Sequence, residues 1–245
     1  MEASLTSVGT FALLGLGLVF GLKHATEVDH VVAVTTLVSQ HRSVWQSALV
    51  GGLWGAGHTL SIVVVGVLVL VFRVTIPLPV TKWLEFGVAL MIVSLGVLAM
   101  TRALRRRSDL HLHRHTHDGQ SHVHVHFHEH GTEHASSALS STHSHAISRV
   151  GFKPLLVGAI HGLAGSAALT LLVLTQIQSV WLAVLYLALF GIGSIVGMML
   201  MSGLIGLPFV FSDRRLTNVN YGLQTVAGSL SIVFGLWYAY QVGTS

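Results

Sequence analysis

Long apolar stretches separated by short polar breaks dominate this chain. They can be drawn at about 8–37, 47–72, 84–101, 154–176, 180–202 and 218–240, each close to or above the roughly 20 residues that a helix needs to cross a bilayer. The pattern predicts an all-α integral membrane protein with six transmembrane helices. The first stretch lacks a basic leader and an A-x-A-like cleavage site, so it is expected to stay in the mature protein rather than act as a signal peptide. Composition points the same way. Of 245 residues, 52% are hydrophobic and only 9% charged, against roughly 25% charged in an ordinary soluble domain.

The second half of the chain echoes the first. "GLKHATEVDHVVAVTTLV" from Gly21 aligns with "GAIHGLAGSAALTLLVL" from Gly158, which pairs His24 with His161. "GAGHT" at Gly55 aligns with "GIGSI" at Gly191, and "LEFGVALMIVSLGV" at Leu84 with "LQTVAGSLSIVFGL" at Leu223, in the same order. Three helices map onto three. Because three is odd, the halves must run in opposite senses through the bilayer, the inverted repeat of many secondary transporters, whose site lies near the midplane at the repeat interface. The expected units are a first three-helix repeat over 1–101, a second over 154–245, and a joining loop over 102–153.

Within this apolar frame, "GLKHATEVDH" at 21–30 is out of place. Lys23, Glu27 and Asp29 would each cost on the order of 2.5 to 3.5 kcal/mol at the centre of a lipid-facing helix. At about 100° per residue, His24, Glu27 and His30 share an arc of roughly 120°, while Asp29 points about 100° from His30. Either Asp29 serves a second face or the helix is unwound here. In both arrangements, imidazoles and carboxylates make a nitrogen and oxygen site suited to a divalent first-row metal. The competing reading is a packing network in which Lys23 pairs with Glu27 or Asp29. His58 and His161 lie beside small residues that let helices approach closely, and both are candidate ligands. Glu85 reads as an interfacial carboxylate or a relay, and Trp83, Trp181 and Trp237 as interface anchors.

The joining loop holds 12 of the 17 histidines, many at alternate positions: His111, His113, His115, His117, His122, His124, His126, His128 and His130. Its Ser, Thr, Gly and acidic content argues for a disordered segment. So many imidazoles suit a transition-metal buffer. With no cysteine in the chain, disulfides, iron–sulfur clusters and thiolate metal sites are excluded.

The isoelectric point near 9.9 is explained by topology rather than by nucleic acid. Ten of the loop Lys and Arg residues fall on the side of the histidine loop and two on the other. By the positive-inside rule, the loop is expected in the cytoplasm and both termini outside, in the cell membrane.

His24-Ala-Thr-Glu-Val-Asp29-His30 has the HX4DH form that marks the nickel/cobalt transporter family. "HGLAGSAALTLLVL" at 161–174 resembles the UreH-type, urease-accessory branch of that family. The resemblance covers the membrane segments and leaves the histidine loop as the variable part. It implies that His24, Asp29 and His30 select and carry the metal, with the Gly-His element adding His58. It departs from the better-known eight-helix permeases, which carry an LGHSTVV-like run where this chain has "GAGHTLSIVV". The function implied is secondary transport, not enzymatic catalysis. Ni2+ or Co2+ is the cargo, delivered to enzymes such as urease and handed on to urease maturation proteins. No ATP-binding motif is present, so an ion gradient or the membrane potential is the expected driving force. The rival readings are a nickel/cobalt exporter and an accessory protein that presents metal without transporting it.

Overall fold

The computed structural model describes residues 2–41, 43–72, 77–108, 110–117, 120–127, 151–163, 177, 179–215 and 217–244. The elements in chain order are α1 (Glu2–His24), α2 (Val28–Val38), α3 (Val44–Phe72), α4 (Leu78–Ser108), β1 (Leu110–His117), β2 (Gln120–Phe127), α5 (Lys153–Gly162), α6 (Val180–Arg215) and α7 (Thr217–Thr244). Three spans are long and apolar enough to cross a membrane: Val44–Val69 in α3, Leu78–Arg105 in α4 and Val180–Ser212 in α6. Thr10–His24 and Val28–Val38 make a fourth if taken as one span, bent by 54° at the break between α1 and α2. The expected fourth stretch, 154–176, falls within the described residues only as far as Leu163. The sixth is helical as α7, but Asn220, Gln224, Thr225, Ser229 and Ser231 make it more polar than the others.

Each helix pairs closely with a particular partner. α4 lies along α7, α3 along α6, α1 against α6 and α5 against α3. Glycines set these approaches, and they do so reciprocally. Gly21 of α1 sits on the Phe190 carbonyl of α6, and its aligned residue Gly158 of α5 sits on the Trp54 carbonyl of α3. Trp54 and Phe190 are themselves aligned, immediately before the two GxG elements. Gly57 sits on the Leu155 carbonyl and its counterpart Gly193 on that of Leu18. A Cβ at any of these positions would overlap backbone, so only glycine permits the approach.

The interior is apolar on both sides of a polar centre. One cluster gathers Ala33, Val34, Val38, Val50, Trp54 and Met198. The other gathers Ile62, Ala183, Tyr186, Leu187 and Phe190. The outside is apolar too. Phe11, Leu60, Leu90, Leu200 and Leu230 stand exposed, and Trp83, Trp181 and Trp237 do so near helix ends, the surface that a helix bundle presents to lipid.

Two features differ from the sequence expectation for 102–153. α4 continues through the "RALRRR" run, so those basic residues sit on a helix end, where Arg102 Nη1 donates a hydrogen bond to Gln40 Oε1 at 3.0 Å. Beyond it, part of the segment expected to be disordered is an antiparallel hairpin. Its register sets His111 opposite His126, His113 opposite His124 and His115 opposite His122. The reason lies in what alternates with histidine: Leu110, Leu112, Val123, Val125 and Phe127 give the period of two that a strand requires. His128, His130 and the remainder of the loop lie outside the described residues.

Candidate metal centre

α1 stops at His24 because its last turn tightens and then fails. Thr26 N–H donates to the Lys23 carbonyl at 2.9 Å and Glu27 N–H to the His24 carbonyl at 3.1 Å, and Thr26 Oγ1 donates to the Lys23 carbonyl at 2.6 Å. Glu27 is then extended, with φ −64° and ψ 147°, and α2 begins after it. The unwound arrangement is therefore the one adopted. Glu27 makes no side-chain cap for α2. Its Oε1 lies 3.0 Å from His24 Nδ1 instead.

The break aims both histidines of the motif inward. His24 Nε2 meets His58 Nε2 of α3 at 2.8 Å. In the first turn of α2, Asp29 Oδ1 accepts from the His30 backbone N–H at 2.9 Å and lies 2.8 Å from His30 Nδ1. Its other oxygen, Oδ2, lies 2.9 Å from His161 Nε2 at the end of α5. Asp29 thus bridges His30 of its own turn and His161 of α5, with both contacts on the α2 side of the break. Lys23 is exposed, and the two carboxylates pair with imidazoles rather than with it.

The four rings form one buried cluster. Centroids of His24 and His30 are 4.4 Å apart, of His30 and His161 4.4 Å, of His24 and His58 5.0 Å, and of His30 and His58 5.0 Å. His30, His58 and His161 are wholly enclosed, His24 is 4% exposed, Asp29 15% and Glu27 41%. Exposure therefore rises toward Glu27. His41, after α2, is only partly buried and stays outside the cluster. Burial without other titrating partners lowers its pKa below the ordinary histidine value.

Every membrane-segment residue singled out in the sequence as a metal ligand is in this cluster, and two walls were not foreseen. Trp54 lies against His30 at 5.3 Å and His161 at 5.4 Å, and Phe190 against His24 at 5.5 Å. They occupy aligned positions of the two halves. Extending the "GAGHT" and "GIGSI" alignment back by one residue is the signal that would have found them. Ser194, the counterpart of His58, is also fully buried.

The donor set suits a metal. His24, His30 and His58 can present one nitrogen each within reach of a single ion, as can Asp29, His30 and His161 with an oxygen and two nitrogens. His30 Nε2, His58 Nδ1, His161 Nδ1 and Trp54 Nε1 are buried with no hydrogen-bond partner among the described residues. Each such atom costs about 1–3 kcal/mol if left unsatisfied, which an ordinary core does not accumulate in one place.

Among known proteins, no family model matches and no solved structure matches. One curated relative does: the urease accessory protein UreH of Bacillus sp. (strain TB-90) is 36% identical over 242 residues, spanning 97% of this chain and 95% of the relative. With that identity along almost its full length, and with the motifs that resemble the UreH-type branch of the nickel/cobalt transporters, the chain belongs to the family of the urease accessory protein UreH.

Proposed function

We propose that this protein is a secondary transporter of Ni2+, with Co2+ as the neighbouring candidate, and that it supplies metal for urease maturation. The observation that carries this reading is the buried cluster of four imidazoles at a helix break, flanked by the more exposed carboxylates of Asp29 and Glu27. Nitrogen and oxygen donors suit borderline first-row ions. With the imidazoles neutral, Asp29 and Glu27 supply two negative charges against the two positive charges of the cargo. The carbonyl end of α1, the negative end of its dipole, faces the same place. Broken helices that present their ends to an ion are how transporters build a site inside lipid.

The reciprocal glycine contacts support two three-helix repeats of opposite sense. α1 meets α6 as α5 meets α3, and α4 meets α7 through Gly96 on the Gly228 carbonyl and Gly235 on that of Ala89. Rocking of one half against the other would expose the centre first to one side of the membrane and then to the other. The hydrogen bond between Arg102 and Gln40 brings the ends of α2 and α4 together, which supports the reading that the loops after both face the cytoplasm. There the histidine loop serves as a low-affinity metal store. The urease-accessory relative and the resemblance to nickel/cobalt transporters support Ni2+ in particular.

The test is uptake of radioactive nickel into right-side-out and everted vesicles carrying the protein, driven by an imposed proton gradient or potential. Accumulation in right-side-out vesicles is the expected result. Accumulation in everted vesicles alone would make the protein an exporter. Binding with no accumulation in either would favour an accessory that presents metal without moving it.

A further inference from the structure

The two donor sets of the centre overlap in one residue only. His24, His30 and His58 form an all-nitrogen set, and Asp29, His30 and His161 a set with a carboxylate. The first joins the helix break to α3 and the second joins it to α5. His30 has its Nδ1 toward Asp29 at 2.8 Å, whereas its Nε2 is buried and without a partner among the described residues. The two nitrogens of an imidazole leave the ring in different directions, so one ring can serve two positions but not one ion through both atoms. Each set also has its own carboxylate: Glu27 lies behind His24 at 3.0 Å, and Asp29 is itself a donor in the other.

On the reading that this centre carries a divalent cation, on which the inference rests, we infer that it holds two alternative cation positions, one on His24/His30/His58 and one on Asp29/His30/His161, between which the ion steps with His30 as the shared ligand. Two dications so close would repel strongly at the low effective dielectric of a buried site, so the positions are filled in turn. Transport benefits from this arrangement. A single site using every ligand at once would hold the ion too tightly to release it, whereas three donors at a time leave each state escapable. Because His30 offers a different nitrogen to each position, the step exchanges the metal–ligand bonds of one set for those of the other, with the His30 ring common to both. Among the donors Asp29 is the most exposed, at 15% against 4% for His24, which makes the position with the carboxylate the more accessible of the two.

The experiment uses the full-length protein with its twelve histidines between 111 and 145 replaced by asparagine, purified in detergent and given Ni2+ alone. Equilibrium dialysis counts bound metal, X-ray absorption reads its ligands, and proteoliposomes measure uptake. The parent should bind one Ni2+. His58→Ala and His161→Ala should each still bind one ion, within about tenfold of the parent affinity, while His30→Ala loses about 100-fold or more. The His58→Ala spectrum should show carboxylate oxygen, and that of His161→Ala a nitrogen-rich ion. Both should fail in uptake. Glutamine at the same position, which keeps most of the side-chain volume, replaces any alanine variant that is not monodisperse. Equal loss of affinity in all three variants, identical spectra for His58→Ala and His161→Ala, or undiminished uptake by either would overturn the two-position scheme. A parent that binds no Ni2+ would overturn the transport reading itself.

Discussion

Asp29 and His161, 132 positions apart in sequence, meet with Oδ2 2.9 Å from Nε2. This contact ties the HX4DH segment of the first half to the aligned histidine of the second. The centre therefore belongs to neither half alone, and whatever separates α5 from α3 or α2 dismantles it.

The polar groups at the break are costly to insert in a membrane, and their geometry is that of a donor cluster. Alanine in place of His24, Asp29 or His30 is expected to reduce nickel uptake at least about 100-fold, on the scale of losing a metal-holding group. The amount of protein in the membrane should be unchanged. Cells expressing each variant, compared for initial uptake rate and for membrane-inserted protein, provide the measurement. Near-normal uptake in all three would remove the cluster from the transport path.

Glycine packing gives a prediction with an internal control. A Cβ at Gly158 meets the Trp54 carbonyl, and one at Gly21 the Phe190 carbonyl, but one at Gly87 or Gly222 meets nothing. Gly21→Ala and Gly158→Ala are expected to lower stability by about 1–3 kcal/mol, as overpacking does, and to impair nickel binding because the imidazoles move apart. Gly87→Ala and Gly222→Ala should do neither. Thermal unfolding in detergent, followed by size-exclusion chromatography, separates the two pairs. Equal melting of all four variants would contradict the close approach.

Membrane orientation can be read without background, since the chain has no cysteine. Single cysteines replacing Ser4, Ser137 or Ser245 should react with an impermeant maleimide from outside intact cells at the first and last of these, but not at 137. Labelling at 137 would reverse the orientation and with it the assignment of the histidine loop to the cytoplasm.

Removal of residues 111–145 should lower nickel accumulation at limiting metal and leave the choice of metal intact. A free imidazole titrates near 6.5 and binds metal only when neutral. Store capacity is thus full above that pH and lost as the pH falls through it. Accumulation by the intact protein should drop on mild acidification more than that of the deleted form. A changed metal preference on deletion would place selectivity in the loop.

Sequence by itself determined a good deal here. Apolar run length predicted the helices, because lipid leaves the backbone no other way to satisfy its hydrogen bonds. Insertion cost singled out Lys23, Glu27 and Asp29, of which Lys23 turns outward; helical spacing and the HX4DH form added His24 and His30, and the repeat added His161 through its partner. Helical periodicity could state that Asp29 was off the face of its neighbours but not what relieved the conflict. The break and the packing of α5 decided that, since α2 starts anew at Val28 and His161 of α5 comes to the Asp29 oxygen that His30 leaves free. Trp54 and Phe190 carry no local mark as walls, because an aromatic in an apolar helix does not show what it faces; only their aligned places in the two halves do. The hairpin was missed for the opposite reason: the polar content of 110–127 outweighed its alternation, and a two-residue period becomes a strand only when a second strand is there to pair with it. Composition and local pattern specify which groups are too costly to leave in lipid, and the packing of α3, α5 and the broken helix decides which of them meet.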